Sequence, residues 1–167
     1  MSRSRDLPVN NPLQQARPAT VRALYVAAAY LVVAPFVFEI QRLLPLRFGD
    51  LDWRFGAAGF FLTAVTTPLL GLALLALLAH LRGDPGVARA VAAVTAGFAL
   101  GIGLAMISFL RDLGPMLSDT PDPAASLVRS TAIRTLVGSA LALVAMIAMS
   151  TGGWSAARDL SAHQRAE

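Results

Sequence analysis

Apolar residues run through this chain in four blocks, 23–38, 55–79, 87–109 and 135–150, and every charged residue except Arg89 falls outside them. None of the blocks shows the alternation of a half-buried strand. Their length and continuity are those of helices in hydrocarbon, where about 20 mainly apolar residues are needed to cross. The second and third blocks suffice alone, and the first and fourth reach that length by taking in flanking residues. The pattern predicts four helices, at about 20–44, 53–81, 85–112 and 123–150, with a polar leader at 1–19 and a polar tail at 151–167.

Punctuation supports these boundaries. Pro45 ends the first helix, Asp84-Pro85 and Asp122-Pro123 supply an N-cap followed by a proline at the first helical position, and Gly114-Pro115 closes the third. Asp50 or Asp52 is expected to cap the second helix. The short link at residues 80–83 predicts that helices 2 and 3 form an antiparallel hairpin. Pro35 and Pro68 lie inside spans and should kink them, freeing the carbonyls of Leu31 and Ala64, with Thr66 or Thr67 nearby to satisfy the exposed backbone.

Composition carries the pattern over to a class. The chain of 167 residues is 56% hydrophobic and only 14% charged, with mean hydropathy +0.61, against about half and a quarter in soluble domains. The expectation is an all-α integral membrane protein, a four-transmembrane-helix bundle. The basic residues are all arginine. They flank apolar runs without clustering, which points to lipid headgroups and topology and away from nucleic acid. Eight arginines (Arg3, Arg5, Arg17, Arg22, Arg82, Arg89, Arg158, Arg165) fall on the side of the termini, against six (Arg42, Arg47, Arg54, Arg111, Arg129, Arg134) on the other. This bias predicts both termini in the cytoplasm and, in a bacterial cell, a multi-pass protein of the inner membrane. With no cysteine in the chain, thiol catalysis, thiolate metal sites and disulfides are excluded.

Two small-residue stripes follow a four-residue period: Gly59, Thr63, Thr67 and Gly71 in the second helix, and Ala93, Gly97, Gly101 and Ala105 in the third. Such stripes let helix backbones approach where lipid gives no hydrophobic drive. They are expected to pack helices 2 and 3 together, leaving a further small-residue face, which helix 4 also carries at Gly138, Ala142 and Ala145, for a neighbouring protein.

The chemistry expected of enzymes and carriers is sparse. No ionisable residue occupies the middle of a span, where proton relays and ion pathways place one. Glu39 lies at the far end of helix 1, three residues from Arg42, the spacing of a surface ion pair. His80 lies at the cytoplasmic end of helix 2 and His163 in the tail, positions that exclude a bis-histidine haem. There is no H-E-x-x-H, G-x-S-x-G or P-loop. Asp50 and Asp52 need a third oxygen ligand to hold a divalent cation. No catalytic, cofactor or metal residue is therefore assigned.

What remains unusual is the stretch RFGDLDWRFG at residues 47–56, and the crowding of Phe36, Phe38, Phe48, Phe55, Phe60, Phe61 and Phe109 with Trp53 at one end of the bundle. Arg47, Phe48, Trp53, Arg54, Phe55, Phe60 and Phe61 are the candidate surface for lipid or a partner, because interfaces favour Trp and Arg and cations sit over aromatic rings. The sequence points to a non-enzymatic accessory subunit beside a larger respiratory or photosynthetic membrane complex, with membrane lipids and other integral subunits as partners. The alternative is a small homo-oligomeric transporter, or a lipid- or quinone-handling protein, with a water-filled crevice near Pro68 and a need for Glu39 or Asp50.

Overall fold

A computed structural model describes residues 18–166 of the chain as five helical segments: α1 (Pro18–Leu43), α2 (Leu51–Ala64), α3 (Thr66–Arg82), α4 (Pro85–Asp119) and α5 (Asp122–Ala166). The predicted leader lies outside the described residues apart from Pro18 and Ala19, which open α1. Because α2 and α3 form one run from Leu51 to Arg82, there are, among the described residues, four helical spans long and apolar enough to cross a membrane.

The interruption between α2 and α3 is a single residue, Val65, whose φ of −68° and ψ of −20° stay close to helical. Its cause is Pro68, which has no N–H to give the carbonyl of Ala64. Regular bonding resumes with Leu69 N–H to the Val65 carbonyl at 3.0 Å. The hydroxyl bonds beside the break come from Thr63, which donates to the carbonyls of Gly59 and Phe60 at 3.0 Å, rather than from Thr66 or Thr67. Pro35 is accommodated within α1, which continues unbroken past it.

Helix starts follow the capping chemistry. Asp50 Oδ1 accepts from the N–H groups of Asp52 at 2.9 Å and Trp53 at 3.3 Å. Asp84 Oδ1 accepts from Gly86 at 2.9 Å and Val87 at 3.1 Å, with Pro85 at the first helical position. Between α3 and α4 the chain turns at Gly83, whose φ of 67° is left-handed and suits a residue without Cβ.

The structure departs from the sequence expectation at both ends of the loop joining α4 to α5. α4 does not stop at Gly114-Pro115 but carries Pro115 inside the helix and ends at Asp119. One missing backbone bond is tolerated there. The following turn is closed by hydroxyls: Ser118 Oγ donates to the Pro115 carbonyl at 2.8 Å and Thr120 Oγ1 to Met116 at 2.6 Å. α5 begins one residue earlier than an Asp122 cap would set it, with the Pro121 carbonyl accepting from Ala124 and Ala125.

α5 also runs past residue 150, where the polar tail was expected to begin, and continues to Ala166 for a total of 45 residues. At about 1.5 Å per residue it is roughly 67 Å long, more than twice a hydrocarbon core. The extension is not a free polar segment. Gly153 lies so close to α4 that an added Cβ would stand 3.0 Å from the Ala92 Cβ, and Ala157 is fully buried with Ala79 and Ala88. Trp154, Ser155 and Arg158 face outward. Its small residues form one side of an otherwise polar helix.

The main core holds Leu72, Ile102 and Met146 at its centre, with Thr95, Pro68 and Ser139 equally enclosed. α4 packs most extensively on α5, α1 on α3, and α2 on α4. Buried hydroxyls bridge helices or bond their own: Ser150 Oγ donates to the Ala92 carbonyl at 3.0 Å, and Thr95 Oγ1 to Val91 at 2.7 Å. The outer surface is apolar, with Leu100, Ile107, Leu141 and Val144 each about two-thirds exposed. That arrangement suits a hydrocarbon solvent.

Candidate functional site

The stretch at residues 47–56 folds into a braced rim where the α1–α2 loop meets the far end of α4. Its centre is Arg54. The Arg54 guanidinium donates from Nε to Asp112 Oδ2 at 3.3 Å and from Nη2 to Oδ1 at 3.5 Å, a two-pronged bond between α2 and α4. The Asp112 side chain is only 8% exposed, while Arg54 keeps 40%. The third arm, Nη1, donates to the Phe48 carbonyl at 3.4 Å. One side chain thus ties the loop to two helices.

Trp53 makes a second brace. Its Nε1 donates to the Leu43 carbonyl at 3.0 Å, satisfying one of the carbonyls left open at the end of α1. Phe48 packs edge-on against the Trp53 ring, centroids 5.1 Å apart. Arg47 and Phe48 are exposed, the latter by 65%.

The crowded phenylalanines divide into two groups. Phe55 stacks on Phe109 at 4.4 Å, and Phe36 sits between Phe61 at 5.6 Å and Phe98 at 5.0 Å. Phe55 and Phe61 are half-buried against the core, and Phe55 with Phe109 also lines the groove below the rim. Phe38, Phe48 and Phe60 remain outward. Below the rim, α2 and α5 diverge over an apolar groove of about 390 Å³ with walls that include Gly56, Gly59, Phe60, Leu127, Val128 and Thr131.

The two small-residue stripes do not face each other along their length. Gly71 packs on α1, where an added Cβ would meet the Ala28 carbonyl and Val32 Cγ2 at 2.8 Å. Gly59 faces the Phe109 ring and Gly101 the Phe61 ring, where an added Cβ would stand 3.4 and 3.6 Å away. Thr63 and Thr67 are exposed, as are Ala93 and Gly97, while Ala105 is half-buried. The face that α4 buries runs instead through Ala88, Ala92, Thr95, Ala99 and Ile102. Four-residue spacing alone does not say which of several small-residue faces a helix buries, and Asp112 gave no local cue because its partner is 58 positions away.

A second cleft, of about 380 Å³, opens beside the Pro35 position between α1 and Thr67, and Glu39 and Arg42 stand at its end. Glu39 Oε1 accepts from Arg42 Nη1 at a long 3.5 Å. Asp50 is used in capping, and among the described residues no group of three His, Asp or Glu is placed to hold a metal ion.

Protein-family models, curated proteins and solved structures give no match to this chain. The rim and the two clefts therefore have to be read from their own chemistry.

Proposed function

We propose that this chain is a non-enzymatic accessory subunit of a bacterial inner-membrane assembly of respiratory or photosynthetic type, with both termini in the cytoplasm and α3 and α4 forming the cytoplasmic-side hairpin. The observation that carries the reading is the braced rim. Arg54 and Trp53 spend their hydrogen bonds on holding the loop still, so that Arg47, Phe48 and Phe60 are offered outward above an open apolar groove. A rigid aromatic and arginine surface loses little entropy on docking, which is how hot spots reach useful affinity. The exposed small residues Ala93 and Gly97 add a place on α4 for close helix approach from outside.

The test is co-purification under mild solubilisation from native membranes, comparing the parent with an Arg47→Ala, Phe48→Ala, Phe60→Ala variant. The reading expects a stoichiometric membrane partner that the variant loses while still inserting. Recovery of the parent as an isolated chain would contradict it.

A second reading, a homo-oligomeric transporter or a lipid- or quinone-handling protein, is favoured by one specific observation. The Glu39 cleft reaches Thr67 on α3, and its apolar lining supports the lipid- or quinone-handling form rather than the water-filled crevice near Pro68 that a transporter would need. Substituting Glu39 without loss of a measured transport phenotype would remove the transporter form of that reading.

A further inference from the structure

Glu39 has an unsettled carboxylate. Its Oε1 meets Arg42, but Oε2 is shut off from the surface with no hydrogen-bond partner among the described residues. An enclosed acceptor without a donor is costly in an apolar setting, and native structures rarely leave one so. The cleft beside it supplies room for a donor. It extends from Glu39 and Arg42 past Phe38 and Pro35 to Tyr30, nine positions earlier on α1, or about 14 Å of helix. The last torsion of a glutamate is broad, and a donor in this space requires the carboxylate to turn about it and present the free oxygen.

We propose that the cleft binds an amphiphile whose head is a neutral hydroxyl, phenolic or alcoholic, donating to Glu39, and whose apolar body lies along α1 toward Tyr30. Charge decides for a neutral head. Arg42 already balances the carboxylate, so a cationic head would leave one positive charge uncompensated in an apolar cleft, which is unfavourable. An anionic head would face the unpartnered oxygen directly. A hydroxyl adds the missing donor without changing the charge. Phe38 and Tyr30, 56% and 63% exposed, line the cleft with aromatic surface suited to a flat phenol. This inference rests on the lipid- or quinone-handling reading and names its ligand class, and it leaves the accessory role untouched.

The test is equilibrium binding to the full-length protein in phosphatidylcholine nanodiscs. The probes are a decyl-substituted hydroquinone, its dimethyl ether, a monoacylglycerol and decylammonium. Saturable binding is expected for the hydroquinone or the monoacylglycerol, and the better of the two identifies the phenolic or alcoholic source. Removing the donor in the ether should weaken hydroquinone binding at least tenfold. Glu39→Leu should do the same. Ala34→Leu, which fills the cleft and leaves Glu39 in place, keeps the test decisive if Glu39→Leu fails to fold. Equal binding of hydroquinone and ether, binding unchanged in Ala34→Leu, preference for decylammonium, or no saturable binding of any hydroxyl probe would each overturn the proposal. A transport assay run beside it separates the outcomes: loss of transport in Glu39→Leu without hydroxyl binding would overturn the ligand and keep the transporter.

Discussion

Arg54 and Asp112 form a two-pronged ion pair at 3.3 and 3.5 Å that joins α2 to α4 at the rim. Asp112 is buried and Arg54 partly exposed, so the pair is asymmetric. Removing the arginine strands a carboxylate that cannot reach water, whereas removing both relieves it. Arg54→Ala is expected to destabilise by roughly 2 kcal/mol, discounted for the exposed side of the arginine, and the Arg54→Ala, Asp112→Ala double variant by less. Reversible unfolding in mixed micelles, arranged as a double-mutant cycle, measures the coupling.

Gly71 and Gly97 offer a paired comparison. A Cβ at Gly71 would meet α1 backbone and Val32 at 2.8 Å, whereas at Gly97 nothing lies within 4 Å. Gly71→Ala should cost about 1–3 kcal/mol as an overpacking change. Gly97→Ala, with open space for its Cβ, should be neutral or stabilise the helix by up to about 1 kcal/mol. If Gly97→Ala instead leaves folding intact and weakens assembly, the exposed face of α4 is a docking surface.

α5 beyond residue 150 should behave as structured helix. Amides near Gly153 and Ala157 are expected to exchange hydrogen slowly in detergent, because that face is closed against Ala88 and Ala92. Gly153→Leu should release the extension and speed exchange there, while Thr151→Leu, on the exposed side, should not. Rapid exchange from residue 151 onward in the parent would show that the extension is detached.

The spans and caps were legible because they depend on local chemistry. Runs of apolar residues, an aspartate before a helix and a proline at its first position act over a few residues, and Asp50 and Asp84 cap as expected. Pro115 misled because proline weakens a helix without ending it when the next turn can be closed by Ser118 and Thr120. The tail misled for the opposite reason: polar residues hid a side made of Gly153, Ala156 and Ala157. At the rim the sequence marked Trp53 and Arg54 as unusual, but not their partners Leu43 and Asp112, because a bond between helices leaves no spacing to read. The small-residue stripes were visible as composition. Their partners, α1 for Gly71 and the α2–α4 contact for Gly59 and Gly101, were set by how the helices pack, which no single helix encodes.

Trp53 should matter to the rim more than to insertion. Trp53→Phe keeps the ring contact with Phe48 but deletes the 3.0 Å bond to Leu43, at a cost of about 1 kcal/mol. Faster proteolysis within the 44–50 loop, with the four spans still protected, is the expected outcome.

Photo-crosslinking in native membranes gives the most direct test of the accessory role. A photoreactive residue is placed at Phe48 or Phe60 on the rim, and at Val144 on the outward face of α5. Near-stoichiometric adducts to one other membrane protein from the two rim positions, with only lipid adducts from Val144, are predicted. Lipid adducts alone from all three positions would contradict the role.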